Sequence, residues 1–314
     1  MDLNTYQRLV YRESSARKYL TKKCRKNGRR FCPRCYHQKL YKLSSGLHRC
    51  TKCKYSFNDF SGRWINHGRL TCVQWLSLFK LFELKLSVCK MAEQLSLAYN
   101  TVYQAVRIIR CAILVHAEDA RNLLGGEIEF DECYFGGRRK GHRGRGAAGK
   151  VLVFGILERN GKVYINVVPD VTAETLIGLT VRTVRRGSIV YTDKFRSYDS
   201  LMFCGYRHLK IDHGQRLSTG KVYIDGLEGF WSWAKERLIK HHGVSKTSFP
   251  FYLKELEFRY NNRNADIFDL IANYMCDLVQ GPAKLPKHIL CDRRTWRNAQ
   301  EILIPFTAEE LLKN

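Results

Sequence analysis

The segment "CPRCYHQKLYKLSSGLHRCTKC" limits how it can fold more tightly than any other stretch of the chain. It carries two C-x2-C pairs, Cys32/Cys35 and Cys50/Cys53, with fourteen residues between them. A stretch this polar has too little apolar surface for a core of its own, so another source of free energy must hold it. Each pair offers two thiolates to one ion, and tetrahedral zinc takes four. Such binding supplies on the order of 10 kcal/mol of folding free energy. Four thiolates leave no open coordination position, so the predicted zinc is structural rather than catalytic. The intervening residues have the length of a β-hairpin, with "SSG" at its turn. A zinc ribbon over residues 31–60 is the expectation. The other eight of the 12 cysteines are scattered and read as reduced packing residues.

At 314 residues the chain exceeds one typical domain, so further modules are expected. Its 54 Lys and Arg against 29 Asp and Glu give a formal charge of +25, which calls for a polyanionic partner, nucleic acid first. A 45% hydrophobic and 12% aromatic content argues against wholesale disorder. There is no apolar run of about 18 residues and no signal-peptide core, which argues against a membrane or secreted protein. The expectation is an intracellular protein, cytoplasmic and nucleoid-associated in a bacterium or nuclear in a eukaryote. Residues 1–30, ending in "KKCRKNGRR", read as a solvated basic arm.

Residues 68–118 read as helical. In "LTCVQWLSLFKLFELKL" the apolar residues Cys72, Trp75, Leu76, Phe79, Phe82 and Leu86 share one helical face. "SVCKMAEQLSLAYNTVYQAVRIIRCAIL" follows as helix, short turn, helix. Val88, Met91, Ala92 and Leu95 face inward in the first helix, and Val102, Val106, Ile109 and Ile113 in the second. This is helix-turn-helix spacing, with Thr101, Tyr103, Gln104 and Arg107 as exposed readers of a DNA major groove. An ordinary helical hairpin has the same spacing.

From residue 126 the period changes to two. "GEIEFDECYFGG" sets Ile128 and Phe130 on one side and Glu129 and Asp131 on the other. "KVLVFGILER" and "NGKVYINVVPD" form a strand pair joined at Asn160-Gly161. A helix capped by Thr172 follows, then the short strand "GSIVYT", and later a helix over "DGLEGFWSWAKERL". This order predicts an α/β layer domain over 125–275, with 276–314 as a C-terminal tail. Between the first two strands lies the glycine-rich basic loop "GGRRKGHRGRGAAGK". Arg138, Arg139 and Arg143 there suit a backbone clamp on nucleic acid.

Three acids in this domain ask for a joint explanation. Asp131 and Asp193 stand at strand ends, and Glu228 opens the last helix. One strand-end aspartate is usually a turn residue. Together the three make an oxygen-rich site for Mg2+, with Mn2+ as an alternative. Two such ions about 4 Å apart serve phosphodiester chemistry. Glu132 adjoins Asp131 but points to the opposite sheet face.

"EIEFDECYFGG", "VYTDKFRSY", "DGLEGFWSWAKERL" and "EFRYNNR", with the ribbon, resemble the ISXO-type DDE transposases of bacterial insertion sequences, related to Merlin elements. The resemblance covers residues 30–265. It implies an RNase H-like catalytic fold, a mixed sheet flanked by helices, with Asp131, Asp193 and Glu228 as the catalytic triad around two Mg2+. Lys235, seven residues after Glu228, falls on the family's lysine and is expected beside DNA. Asp225 occupies a position where some relatives carry a catalytic Asn, and is either a helix cap or a helper of Glu228. The implied activity is hydrolysis at terminal inverted repeats of double-stranded DNA and transfer of the freed 3′-hydroxyl to target DNA. The implied state is a homodimer or larger assembly. A catalytically silent DNA-binding regulator and an RNase H-like nuclease are the competing readings.

Overall fold

The computed structural model describes residues 1–119, 123–136, 150–159, 161–193, 198, 204–210, 225–239, 241 and 244–279. They fall into two compact units. Of the described residues, the first comprises Met1–His116 and 262–279, and the second Ala117–Asn261. Among the described residues, no helix is long and apolar enough to cross a membrane.

The first unit opens with two helices, α1 (Leu3–Val10) and α2 (Glu13–Lys23). This corrects the expectation of a solvated arm. Ala16 and Leu20 of α2 are fully buried. The Tyr19 hydroxyl donates to Asp269 at 2.8 Å, and the Lys23 ammonium donates to Asp269 at 2.5 Å and to Asn273 at 2.9 Å. Asp269 and Asn273 belong to α9 (Ile267–Cys276), which buries Phe268, Ile271, Ala272 and Met275. Helix α9, which falls within the expected 125–275 span, groups with the first unit.

After α2 come β1 (Leu40–Lys42), β2 (His48–Cys50) and β3 (Ser56–Phe57), an antiparallel sheet in that order. The β1–β2 turn holds Gly46 at φ +80°, a conformation that favours glycine. Helix α3 (Cys72–Glu83) is started by a Thr71–Gln74 capping box and by Glu13, whose carboxylate accepts the N–H groups of Cys72 at 2.7 Å and Val73 at 3.0 Å. Helices α4 (Val88–Leu95) and α5 (Tyr99–Asp119) follow. Ser96, at φ 51°, ends α4. Val102, Val106, Ile109 and Ile113 are buried along α5, whereas Thr101 and Gln104 are exposed and Tyr103 and Arg107 half-buried. Helices α4 and α5 are thus joined by a short turn, each with an apolar face buried.

The second unit is a five-stranded sheet. Its strands are β4 (Glu127–Phe135), β5 (Val151–Glu158), β6 (Val163–Val167), β7 (Ile189–Thr192) and β8 (Arg207–Lys210). The order is β6-β5-β4-β7-β8, with β4, β5 and β6 antiparallel and β7 and β8 parallel to β4. With helices on both faces, this is the RNase H-like arrangement. Ile128, Phe130, Phe154, Ile156 and Val190 cover one face with α6 (Ala173–Thr183), which Thr172 caps as expected. Cys133, Phe135, Val153, Leu157 and Tyr191 cover the other with α7 (Asp225–Ile239) and α8 (Phe249–Asn261). Strand β6 is an edge, and an open edge invites foreign pairing. Here α8 covers it. Glu257 accepts the N–H of Ile165 at 2.9 Å, and Asn261 bonds both the N–H and the C=O of Val163 at 2.8 Å. Thus "EFRYNNR" serves the sheet, and its Arg259 is buried against Glu255 at 2.8 Å.

Candidate active site and zinc centre

Strand β4 alternates as its sequence predicts, and the alternation places the acids. Glu129 and Asp131 face α7, while Glu132 faces the other layer and accepts the Tyr198 hydroxyl at 2.5 Å. Strands β4 and β7 pair in parallel with Glu129 opposite Tyr191. Two residues on from this pair stand Asp131, within β4, and Asp193, one residue past the end of β7, so a period of two carries both to the same face. The Asp131 carboxyl is pushed up to about 6, first by burial, then by the Glu132 carboxylate, with Asp193 adding to it. One Asp131 oxygen accepts the N–H of Glu132 at 2.9 Å, and the other accepts the indole N–H of Trp231 at 3.0 Å.

Helix α7 brings the remaining candidates. Leu227, Phe230, Trp231 and Ala234 are buried against the sheet. Glu228 lies three residues before Trp231, about 4.5 Å along the helix axis, and its side chain is exposed. Lys235 lies one turn beyond Trp231 and reaches the thiol of Cys133, whose raised pKa comes mainly from burial and is opposed by the Lys235 charge. Asp131 therefore stands in the middle of β4 and not at a strand end as expected. Asp193, just past β7, is near enough for its charge to act on Asp131. Lys235 lies beside Cys133, two residues along β4, and Glu228 is on the exposed side of α7. Asp225 is the first residue of α7. Arg138, Arg139 and Arg143 lie outside the described residues.

Several residues of this site are not among the sequence-derived candidates. Glu129 is only 1% exposed and accepts the backbone N–H of Leu227 at 3.0 Å and the Arg159 guanidinium at 3.1 Å. A Cβ added at Gly226 would meet Leu157 at 2.5 Å and Glu129 at 2.8 Å. One added at Gly155 would meet the Trp231 ring at 2.5 Å. The helix can approach the sheet this closely only over glycine. A glycine inside the apolar run "VLVFGILE" is the available sequence signal for that approach.

The four-cysteine cluster has a regular geometry. The N–H of Tyr36 bonds the Cys32 carbonyl at 2.9 Å, and the N–H of Lys54 bonds that of Cys50 at 3.1 Å. Tyr36 and Lys54, each following the second cysteine of its pair, both take φ 59°. The two knuckles thus repeat one backbone turn. Cys32–Cys53, Cys35–Cys50 and Cys35–Cys53 sulfurs are 3.5 Å apart, and all four lie within 4.8 Å of one another. Zinc–sulfur bonds of about 2.3 Å imply tetrahedral edges of about 3.8 Å, so these thiols fit one structural zinc ion.

The family model of the transposase zinc-ribbon domain matches residues 12–56, and that of the ISXO2-like transposase domain matches residues 123–261. A transposase-like protein of Haemophilus influenzae, itself uncharacterized, is 45% identical over 101 residues, which are 32% of this chain and 82% of that protein. The chain belongs to the ISXO2-like transposase family. An uncharacterized protein from the transposable element ISH50 of Halobacterium salinarum is 28% identical to this ISXO2-like transposase, over 73% of the chain and 84% of the relative. Among solved structures, the catalytic core domain of BIV integrase aligns with a TM-score of 0.31 and 14% identity, covering 47% of this chain and 93% of that one. Mos1 transposase, in a paired-end complex with its left transposon end, aligns with a TM-score of 0.24 and 13% identity, covering 60% and 75%. The ribbon match begins at residue 12, inside the stretch first read as a free arm.

Proposed function

We propose that this transposase cuts double-stranded DNA at the terminal inverted repeats of its element and joins the freed 3′-hydroxyl to target DNA. The observation that carries this reading is the matching position of Asp131 on β4 and Asp193 just past the end of the neighbouring parallel strand β7, beneath the helix that bears Glu228. Oxygen donors of this kind suit hard divalent cations, and a carboxyl held near 6 by burial and by other carboxylates is one that a cation would relieve. Asp131, Asp193 and Glu228 would hold two Mg2+, or Mn2+. When bound, the ions supply an activated attacking oxygen and stabilise the leaving one. The chain's own residues do the rest. Trp231 and the Glu132 N–H fix the Asp131 carboxylate, and Lys235 offers a cation to a DNA phosphate beside the acids.

Recognition of the element ends falls to the zinc ribbon and to α4–α5, with Gln104 and Arg107 among the readers. The net charge of +25 supports a phosphate-rich partner. Two ends must be held together for transfer, so the active form is a homodimer or larger assembly. The test is incubation of the full chain with a labelled duplex of its flanking inverted repeat, with and without Mg2+. Cleavage at the repeat boundary supports the reading. End binding without cleavage under any divalent metal would leave a DNA-binding regulator.

A further inference from the structure

We propose that Trp231 is a positioning residue for the metal site: its indole N–H sets the orientation of the Asp131 carboxylate. The proposal deepens the reading above and rests on it. Asp131 projects from β4 with one oxygen tied to the adjacent Glu132 N–H at 2.9 Å. That bond alone leaves the carboxylate plane free to turn. The indole bond at 3.0 Å, from α7, fixes the second oxygen. The carboxylate is thereby held between two donors on different elements, with its remaining lone pairs pointing away from both.

A buried tryptophan needs a partner for its N–H, and that need alone accounts for a bond of some kind. Two observations point further. The ring lies over Gly155, the one residue of β5 without a side chain, where a Cβ would come within 2.5 Å of it. The strand is shaped to admit the indole at this depth, in line with Asp131, its cross-strand partner. The ring is also packed edge-on by Phe135 at 5.9 Å and Phe230 at 5.1 Å, which leaves it little room to turn. The donor is thus held from three sides, and it comes from the helix that carries Glu228. A group that orients a metal ligand in this way typically changes metal affinity 10–100-fold when removed.

The experiment uses Trp231→Phe in the full chain, alongside wild type and Asp131→Asn. Mn2+ binding by electron paramagnetic resonance gives a readout independent of turnover, and the Mg2+ dependence of end cleavage gives a second. Trp231→Phe should keep its melting temperature within a few degrees and keep end binding. Its half-saturating metal concentration should rise about tenfold, with cleavage partly recovered at high Mg2+. Wild-type metal dependence in a folded Trp231→Phe protein overturns the proposal. If Trp231→Phe does not fold, replacing Trp231 by 3-benzothienylalanine keeps the bicyclic ring and removes only the N–H, and the same criteria apply. Should Asp131→Asn bind Mn2+ and cleave as wild type does, the metal site itself fails. Should Asp131→Asn fail while the Trp231 variants match wild type, only the positioning role fails.

Discussion

Glu129 accepts the backbone N–H of Leu227 at 3.0 Å, so a buried carboxylate on β4 holds the first turn of α7. The first N–H groups of a helix have no partner within it, and a negative charge there also suits the helix dipole. The same carboxylate takes the Arg159 guanidinium, which bridges to Glu127 at 2.7 Å and lies 3.8 Å from the centre of the Tyr191 ring. The start of α7, and with it Glu228, is thereby tied to the strand that carries Asp131.

Glu129→Ala should cost about 3 kcal/mol of stability, because it leaves Arg159 short of a buried partner and Leu227 N–H without an acceptor. Glu129→Gln, which keeps an acceptor for Leu227, should lose less. Urea unfolding of the three proteins checks this. Equal midpoints for wild type and Glu129→Ala would show that the contact is energetically idle.

The ribbon should hold one zinc per chain and depend on it. Cys32→Ser or a strong chelator should melt the β1–β3 sheet and weaken end recognition, while the five-stranded sheet persists. Metal analysis of the purified chain, with circular dichroism before and after chelation, checks both points. Less than half an equivalent of zinc would contradict the assignment.

The raised Asp131 carboxyl gives a pH signature whose sign can be worked out. A folded value of about 6 against the ordinary aspartate value of 3.8 means the native state binds this proton more tightly than the unfolded one. The resulting stabilisation is complete below about pH 4 and is lost as pH rises through 6, on the order of 2–3 kcal/mol in all. In the proposed site, divalent metal would take over from the proton above that range. Thermal melts from pH 4.5 to 8 should show a Mg2+-induced rise that grows above pH 6 and is absent in Asp131→Asn. A rise of equal size in that variant would place the ion elsewhere.

Gln104→Ala and Arg107→Ala test the reading of α5 as a recognition helix. Each should reduce discrimination between the cognate inverted repeat and a scrambled duplex by about 1–3 kcal/mol per lost base contact. Competition binding at fixed salt measures it. A uniform loss on both duplexes would mean that these residues touch phosphate alone.

Periodicity made the five-stranded unit legible. Ile128 and Phe130 against Glu129 and Asp131 fixed the faces of β4, and within "DGLEGFWSWAKERL" the apolar residues Leu227, Trp231 and Ala234 recur at helical spacing and mark the buried side of α7. The parallel pairing of β4 with β7, which brings Asp131 beside Asp193, joins residues some sixty apart and leaves no local mark. Glu129 was hidden because a buried acid and a solvated one occupy the same polar slot in an alternating strand. Residues 1–30 misled for a related reason. Only Ala16, Leu20 and Thr21 of α2 are buried, amid many basic residues, and the α9 partners Asp269 and Asn273 lie about 250 residues away. Trp231 was legible as core, but its bond to Asp131 was not, since nothing in sequence says where an indole N–H points.

The most direct test of the metal-site reading is anomalous diffraction from crystals of the full chain grown with Mn2+ and a duplex of its element end. The account predicts manganese peaks within coordination distance of the Asp131 and Asp193 carboxylates, with Glu228 completing the site. Density at saturating Mn2+ that shows no ion on Asp131 or Asp193 would contradict it.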